Sequence, residues 1–244
     1  MLTNKQIKLI NSLHSKKGRS ENRLFLVEGE KGINELLNSS LKIHSIIVNR
    51  VFEADSRFIN TNCAVYYVAD FLIHQLSTLV TNNYGFAIVE MPNESFIYKP
   101  DEFTVILDGI RDPGNLGTII RICDWYGINQ IVLSNDCTEF YNPKVISASM
   151  GSFLRISHMY VQLETWLSKY TDSKKIGALL NGKNIHEYKF PDAGFIIFGN
   201  ESNGICQSVV ELIDDSVTIP SFGGAESLNV GISCAIFLDN LRRS

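Results

Sequence analysis

Within residues 3–14, Ile7, Leu9, Ile10 and Leu13 recur at roughly helical spacing, which predicts an opening amphipathic helix. A basic turn follows, Ser15-Lys16-Lys17-Gly18-Arg19. The apolar run at 24–27 predicts a buried strand ending at Glu28-Gly29, and a helix continues over 33–37. Strands at 43–48, 65–68 and 84–89 alternate with helical stretches at 52–58 and 71–79. The first ninety residues therefore read as one small α/β/α unit.

The pattern breaks at 91–100, where Pro92, Asn93, Glu94 and Pro100 favour extended, non-helical backbone and predict a linker. A second α/β alternation begins with a strand at 104–107 and a helix at 115–126. Then come a strand at 131–133, a helix at about 143–151, and a strand, helix and strand running to Leu180. Strands at 195–198 and 217–219 lead into polar, glycine-bearing turns, and a helix runs from about 228 to the end. The expected domains are 1–90, a linker at 91–100, and 101–244. No repeat or low-complexity segment interrupts them.

Composition narrows the class. The chain has 244 residues, 45% hydrophobic and 20% charged, as expected of a globular protein with a sizeable core. No apolar run reaches the roughly 18–20 residues that span a bilayer, and Lys5 and Lys8 interrupt any signal-peptide core. These features predict a cytoplasmic protein without a membrane partner. Cys63, Cys123, Cys137, Cys206 and Cys234 are widely spaced and form no C-x-x-C pair, which argues for small buried thiols over a disulfide scaffold or zinc site. The net charge is −4, yet residues 1–31 hold seven cations against three anions. A local basic patch of this kind can grip phosphates, or it can be a solvated helix face.

Three turns carry the candidate chemistry. In Asp112-Pro113-Gly114-Asn115-Leu116-Gly117-Thr118-Ile119-Ile120-Arg121, the positions Leu116, Ile119, Ile120 and Cys123 form a helical stripe. Asn115 sits at the helix start, a favoured capping position, and Arg121 points off the stripe. Read alone, this is a capped helix with a surface arginine. The second turn is Gly199-Asn200-Glu201-Ser202-Asn203-Gly204 after the strand at 194–198. Glycines at a strand end let a ligand approach the backbone, and the spacing is not that of a dinucleotide fingerprint. The third is Ile219-Pro220-Ser221-Phe222-Gly223-Gly224-Ala225-Glu226-Ser227-Leu228-Asn229, in which Ser227 or Glu226 can cap the last helix. That helix is apolar or small on nearly every side, so it is a core helix or a core helix that also packs on a second subunit. The five histidines are scattered and read as surface or capping residues, with no ligand cluster for a metal.

In this order and with these residues, the three turns resemble the motifs of the SpoU/TrmH family of RNA ribose 2′-O-methyltransferases, in the SPOUT superfamily. The first is similar to D-P-G-N-x-G-x-x-x-R and the second to G-x-E-x-x-G. The stretch Tyr141-Asn142-Pro143-Lys144-Val145-Ile146-Ser147-Ala148-Ser149-Met150-Gly151-Ser152 also looks family-like, although Ser147 stands where many relatives carry an arginine that can meet RNA phosphate. Residues 19–29 resemble the R-x-x-x-x-x-F-x-V-E-G opening of the family's substrate-binding domain. The resemblance covers nearly the whole chain.

The resemblance implies a parallel α/β sheet with helices on both faces and a C-terminal trefoil knot, preceded by a small ribosomal-protein-like α/β/α domain. It implies S-adenosyl-L-methionine as cofactor, held by Gly199, Asn200, Gly204, Ile219, Pro220 and Leu228. It places Asn115, Arg121, Glu201, Ser227 and Asn229 in the catalytic site. A guanidinium stays protonated in proteins, so Arg121 is expected to stabilise the developing alkoxide, or to orient a phosphate that takes the proton, more readily than to act as base. Lys16, Lys17, Arg19, Arg23 and Lys144 are the expected RNA contacts. A homodimer through the C-terminal domain is implied, and no metal.

The leading expectation is methylation of a ribose 2′-OH in large-subunit ribosomal RNA. Within the class the alternative is tRNA, disfavoured by the extra N-terminal domain. From another class it is a non-catalytic RNA-binding assembly factor, which has no physical reason to keep the five polar site residues. A nicotinamide oxidoreductase would need a glycine-rich turn with a different spacing after the first strand.

Overall fold

The computed structural model describes residues 2–243, except 54, 60, 80, 94, 95 and 201 and the side chains of Ser56 and Ile59. The chain divides into two compact units, 1–93 with 139–154, and 94–138 with 155–244.

In the first unit, helix α1 (Asn4–Leu13) starts at a capping box between Thr3 and Gln6 and buries Ile10 and Leu13. The expected basic turn is a second helix, α2 (Lys16–Asn22), capped by the Ser15 hydroxyl and ended by Arg23 in the left-handed region. Gly18 allows the two helices to meet, since a Cβ there would lie 2.0 Å from the Ser12 carbonyl oxygen. Strand β1 (Leu24–Glu28), α3 (Glu30–Leu37), β2 (Ile43–Asn49), α4 (Ser56–Ile59), β3 (Ala64–Val68), α5 (Asp70–Leu76) and β4 (Gly85–Glu90) follow. The strands form a mixed sheet in the order β1-β4-β2-β3, parallel only between β2 and β3. Its core unites Ile10 and Leu13 with Leu24, Leu26, Ile47, Ile73 and Phe86.

The segment expected to be a linker is sewn down on both sides. Met91 donates its N–H to the Arg23 carbonyl at 2.8 Å, within the first unit. In the second unit, the Gln130 amide bonds the backbone of Ile97 and Lys99, and Tyr98 packs against Trp166, Tyr170 and Phe195.

The second unit opens with β5 (Phe103–Leu107), α6 (Pro113–Trp125) and β6 (Gln130–Ser134). The chain then returns to the first unit for 139–154, which holds α7 (Pro143–Ser149). This return is fastened by Arg19. Its guanidinium donates to Glu139 at 3.1 and 2.5 Å and to the Leu13 carbonyl at 2.8 Å. Phe25 meets Tyr141 and Phe153 beside it. Back in the second unit come β7 (Ser157–Val161), α8 (Leu163–Leu167), β8 (Lys175–Asn184), β9 (Gly194–Phe198), α9 (Gln207–Val210), β10 (Asp215–Thr218) and α10 (Val230–Arg243).

Its six strands are parallel at every pairing, in the order β10-β8-β9-β5-β6-β7. Near-continuous apolar strands such as β5, β6 and β9 suit a sheet of this kind. The β10 register jumps from Ser216 opposite Gly177 to Val217 opposite Lys183, so 178–182 are skipped. Two single-residue expectations fail here. His158, expected at the surface or in a cap, lies buried in β7, and burial pushes its pKa down to about 3. Cys206, expected among the buried thiols, is exposed.

Candidate functional site

The site is built where strand ends meet helix starts. Helix α6 begins two residues earlier than the sequence suggests, at Pro113. Asp112 is its N-cap and accepts from the Asn115 N–H at 2.8 Å, with Pro113 in the first turn. Asn115 is thus freed from capping, and its side-chain oxygen accepts from the Asn229 amide at 2.9 Å. Asn229 in turn accepts from the Gly231 N–H at 2.9 Å and caps α10 in place of Ser227 or Glu226. One side chain therefore ties the first turn to the third. Close packing supports the tie, since a Cβ on Gly231 would sit 3.1 Å from Thr118 of α6. Arg121 is exposed on α6 and has no ion pair with a described residue.

The second turn is closed by its own backbone and pinned to residues 108 and 109, ahead of α6, by Cys206 and Asn200. The Asn200 and Gly204 backbones exchange hydrogen bonds at 3.0 and 2.8 Å, with Gly204 left-handed at φ 67°. Gly199 has no room for a side chain, because a Cβ would lie 2.1 Å from the Gly204 carbonyl carbon. The Asn200 amide donates to the Gly109 carbonyl at 2.8 Å and accepts from the Ser202 N–H at 2.9 Å. The Asp108 carboxylate accepts from the Cys206 N–H at 2.7 Å. Asp108 and Gly109 are thus hydrogen-bonded to Cys206 and Asn200. Glu201 lies outside the described residues.

The second and third turns line a cavity of about 720 Å³. Phe198, Ile205, Leu228 and Phe237 give it an apolar lining, with Phe198 and Phe237 in edge-to-face contact at 5.3 Å. Gly199, Asn200, Gly204, Ile219, Pro220 and Ser227 also line it. All six expected cofactor residues line this one space. Asn115, Arg121 and Asn229 stand outside its lining. The sequence reading missed Ala178, Leu179, Leu180 and Asn181, which come from the stretch that β10 skips. The available signal was position, since ligands of parallel sheets bind beyond the carboxyl ends of strands. The size lies within the range of small-molecule sites, and an apolar floor with exposed backbone polar groups suits a nucleoside.

Comparison with known proteins decides the family. Residues 102–239 match the model of the SpoU rRNA Methylase family, and residues 4–86 match that of the MRM3-like substrate binding domain. The chain belongs to the SpoU rRNA methylase family. Among relatives in that family, the Bacillus subtilis 23S rRNA (guanosine(2553)-2′-O)-methyltransferase RlmP is 30% identical over 242 residues, covering 98% of this chain and 96% of its own. A solved structure from Porphyromonas gingivalis, assigned to the TrmH family of RNA methyltransferases, aligns over 100% of both chains at 31% identity and a TM-score of 0.90. The AdoMet-bound rRNA methyltransferase of Sinorhizobium meliloti aligns over 100% of this chain and 96% of its own at 27% identity and a TM-score of 0.87.

For a SpoU-family chain, the expected RNA contacts divide sharply. Lys16, Lys17, Arg23 and Lys144 are exposed, and all four belong to the first unit because 139–154 packs there. Arg19 is a correction. It is 2% exposed, and its donors are taken by Glu139 and Leu13, so it fastens the fold and cannot reach a phosphate.

A second cavity of about 630 Å³ lies at Lys174, Lys183, Tyr188, Lys189 and Asp215, away from the three turns. Its chemistry is spent internally. Lys183 and Lys174 reach Asp215 at 2.6 and 2.9 Å and Tyr188 donates to it at 3.0 Å. Led by the Lys183 contact, these partners hold the Asp215 carboxyl down to about 2. Among the described residues, no three His, Cys, Asp or Glu side chains gather as a metal site would require. No helix among them is long and apolar enough to cross a membrane.

Proposed function

We propose that this chain transfers a methyl group from S-adenosyl-L-methionine to a ribose 2′-hydroxyl of RNA, with large-subunit ribosomal RNA as the substrate. The observation that carries the reading is the meeting of the second and third turns at one cavity, to which the Asn229–Asn115 hydrogen bond ties the first turn. The RlmP relative and the AdoMet-bound Sinorhizobium structure support the substrate and the cofactor. The match of residues 4–86 to a substrate-binding domain favours ribosomal RNA over tRNA.

Bound S-adenosylmethionine supplies an electrophilic methyl on its sulfonium. The protein must hold a hydroxyl in line with it, and positioning alone can contribute roughly 7–11 kcal/mol. Phe198, Ile205 and Phe237 offer the apolar surface for a nucleoside, and Gly199, Ile219 and Leu228 offer backbone donors and acceptors to its edge. Asn229 fixes the Asn115 amide, which faces the ribose in this reading. In this reading Arg121, exposed and without a described ion-pair partner, stabilises charge on the 2′-oxygen or orients a phosphate that accepts its proton. Glu201 and Ser227 complete the polar set that orients ribose and cofactor.

The finer family features belong to the same proposal. The C-terminal backbone threads as a trefoil knot. Two copies pair through α6 and α10, where Trp125 and Ile232 are 83% and 53% exposed. The exposed cations of the first unit, Lys16, Lys17, Arg23 and Lys144, grip RNA phosphates.

Calorimetric titration with S-adenosylmethionine, with NADH as control, tests the cofactor half of this reading. Binding of S-adenosylmethionine alone is the expected result. Binding of NADH alone would replace the methyl-transfer reading with an oxidoreductase one.

A further inference from the structure

Phe222 is the most exposed large apolar side chain among the described residues, at 96%. It lines the rim of the 720 Å³ cavity, on a segment whose residues 221–229 are all exposed. The neighbouring glycines give no folding reason for this arrangement. A Cβ added at Gly223 or Gly224 would meet nothing within 4 Å, and neither glycine is among those with positive φ. Packing and backbone conformation would therefore accept a side chain at both. What glycine does provide is open space beside the ring. The segment is not loose at its far end, because Asn229 is held by Asn115 and by the start of α10. Phe222 thus lies on the same segment as Asn229, the residue that joins the first turn to the third.

The chemistry around the ring narrows its occupant. Among the described residues that line the cavity none is a lysine or arginine, so the Phe222 ring offers a flat apolar face without a phosphate grip. An aromatic face of this kind takes an unpaired nucleic-acid base, because every base presents a π-face and stacking needs no particular hydrogen-bond pattern. RNA recognition by protein commonly targets splayed, unstacked bases. We propose that Phe222 is a stacking platform for an unpaired base of the substrate RNA, at or beside the nucleotide whose ribose is methylated. This rests on the methyltransferase reading of the site. It assigns base contact to the second unit and leaves phosphate contact with the cations of the first.

The test uses the full chain and two fluorescein-labelled probes of about twelve nucleotides, an oligoadenylate and an abasic oligoribose phosphate of equal length. Their phosphates match, so counterion release is common to both. The wild-type protein should bind the base-bearing probe about tenfold more tightly than the abasic one. Phe222→Ala should lose that preference and keep its affinity for the abasic probe, whereas Phe222→Trp should retain the preference. Both variants should still bind S-adenosylmethionine. A wild-type protein without the preference, or a Phe222→Ala variant that keeps it, overturns the proposal. So does a Phe222→Ala variant that dissociates from dimer to monomer with its preference intact, since the ring would then be covered by a second copy. Failure of the wild-type protein to bind S-adenosylmethionine would instead remove the methyltransferase reading itself.

Discussion

Asn229 and Asn115 lie 114 positions apart in the chain, yet the amide of one donates to the amide oxygen of the other at 2.9 Å. Asn229 also caps α10 through its oxygen. The same side chain therefore serves stability and site geometry, and the two roles can be separated. Asp is as good a helix cap as Asn but cannot donate to Asn115. Asn229→Asp should keep thermal stability within about 0.5 kcal/mol of wild type and lower methyl transfer at least tenfold. Asn229→Ala should lose about 1 kcal/mol as well. Equal turnover in the two proteins, Asn229→Asp and wild type, would show that the contact does not matter to chemistry.

Arg121 is exposed and makes no ion pair with a described residue, so its removal should cost little stability. Arg121→Ala should reduce turnover by at least about a hundredfold, in the range of a lost charge-stabilising donor. Affinity for S-adenosylmethionine should remain within a few-fold. Parallel loss of both would give Arg121 a structural role.

Arg19 behaves oppositely. Breaking a buried ion pair by removing one partner typically costs 3–5 kcal/mol, because the other charge is left uncompensated. Urea unfolding of Arg19→Ala should show a loss of about that size. The variant should unfold the contact between the N-terminal helices and residues 139–154 before it alters any property of the cavity. A loss below about 1 kcal/mol would contradict the burial of the pair.

The exposed cations give a separate readout. Lys16→Gln with Lys17→Gln should lower the slope of log affinity for RNA against log salt by up to about 0.7 per lost phosphate contact on single strands. An unchanged slope would remove these lysines from the RNA surface.

His158 makes acid stability predictable. Burial depresses its folded pKa from 6.5 to about 3. Above pH 6.5 the ring is neutral in both folded and unfolded chains, so it has no effect. As pH falls below that value the unfolded chain takes up a proton that the folded chain refuses, and stability drops by up to about 1.4 kcal/mol per pH unit until roughly pH 3. Chemical denaturation at pH 7 and pH 5 should show a smaller decline in His158→Phe than in wild type.

What the sequence could show depended on range. The three turns were legible because glycine, proline and capping residues act locally, and the alternation of apolar runs located nearly every strand. Capping was misassigned by one turn. Pro113 marks a first-turn position and points to Asp112, while Asn115 is drawn away by a partner across the fold. Arg19 looked like a phosphate ligand because its partner Glu139 is 120 positions distant. For the same reason the sequence could not reveal that residues 139–154 pack with the first unit. This makes deletion of the N-terminal unit a poor test of RNA binding, since it would strip Tyr141 and Phe153, on either side of α7, of the Phe25 ring they pack on. The four cavity residues at 178–181 were hidden because nothing local marks the register jump between β8 and β10.

The most direct test of the central claim is a product analysis. The protein is incubated with methyl-labelled S-adenosylmethionine and unmodified large-subunit ribosomal RNA, and the RNA is digested to nucleosides and separated by mass. A single labelled 2′-O-methylnucleoside, absent with Arg121→Ala, is the predicted result. Label on a base, or no label from a protein that binds the cofactor, would contradict it.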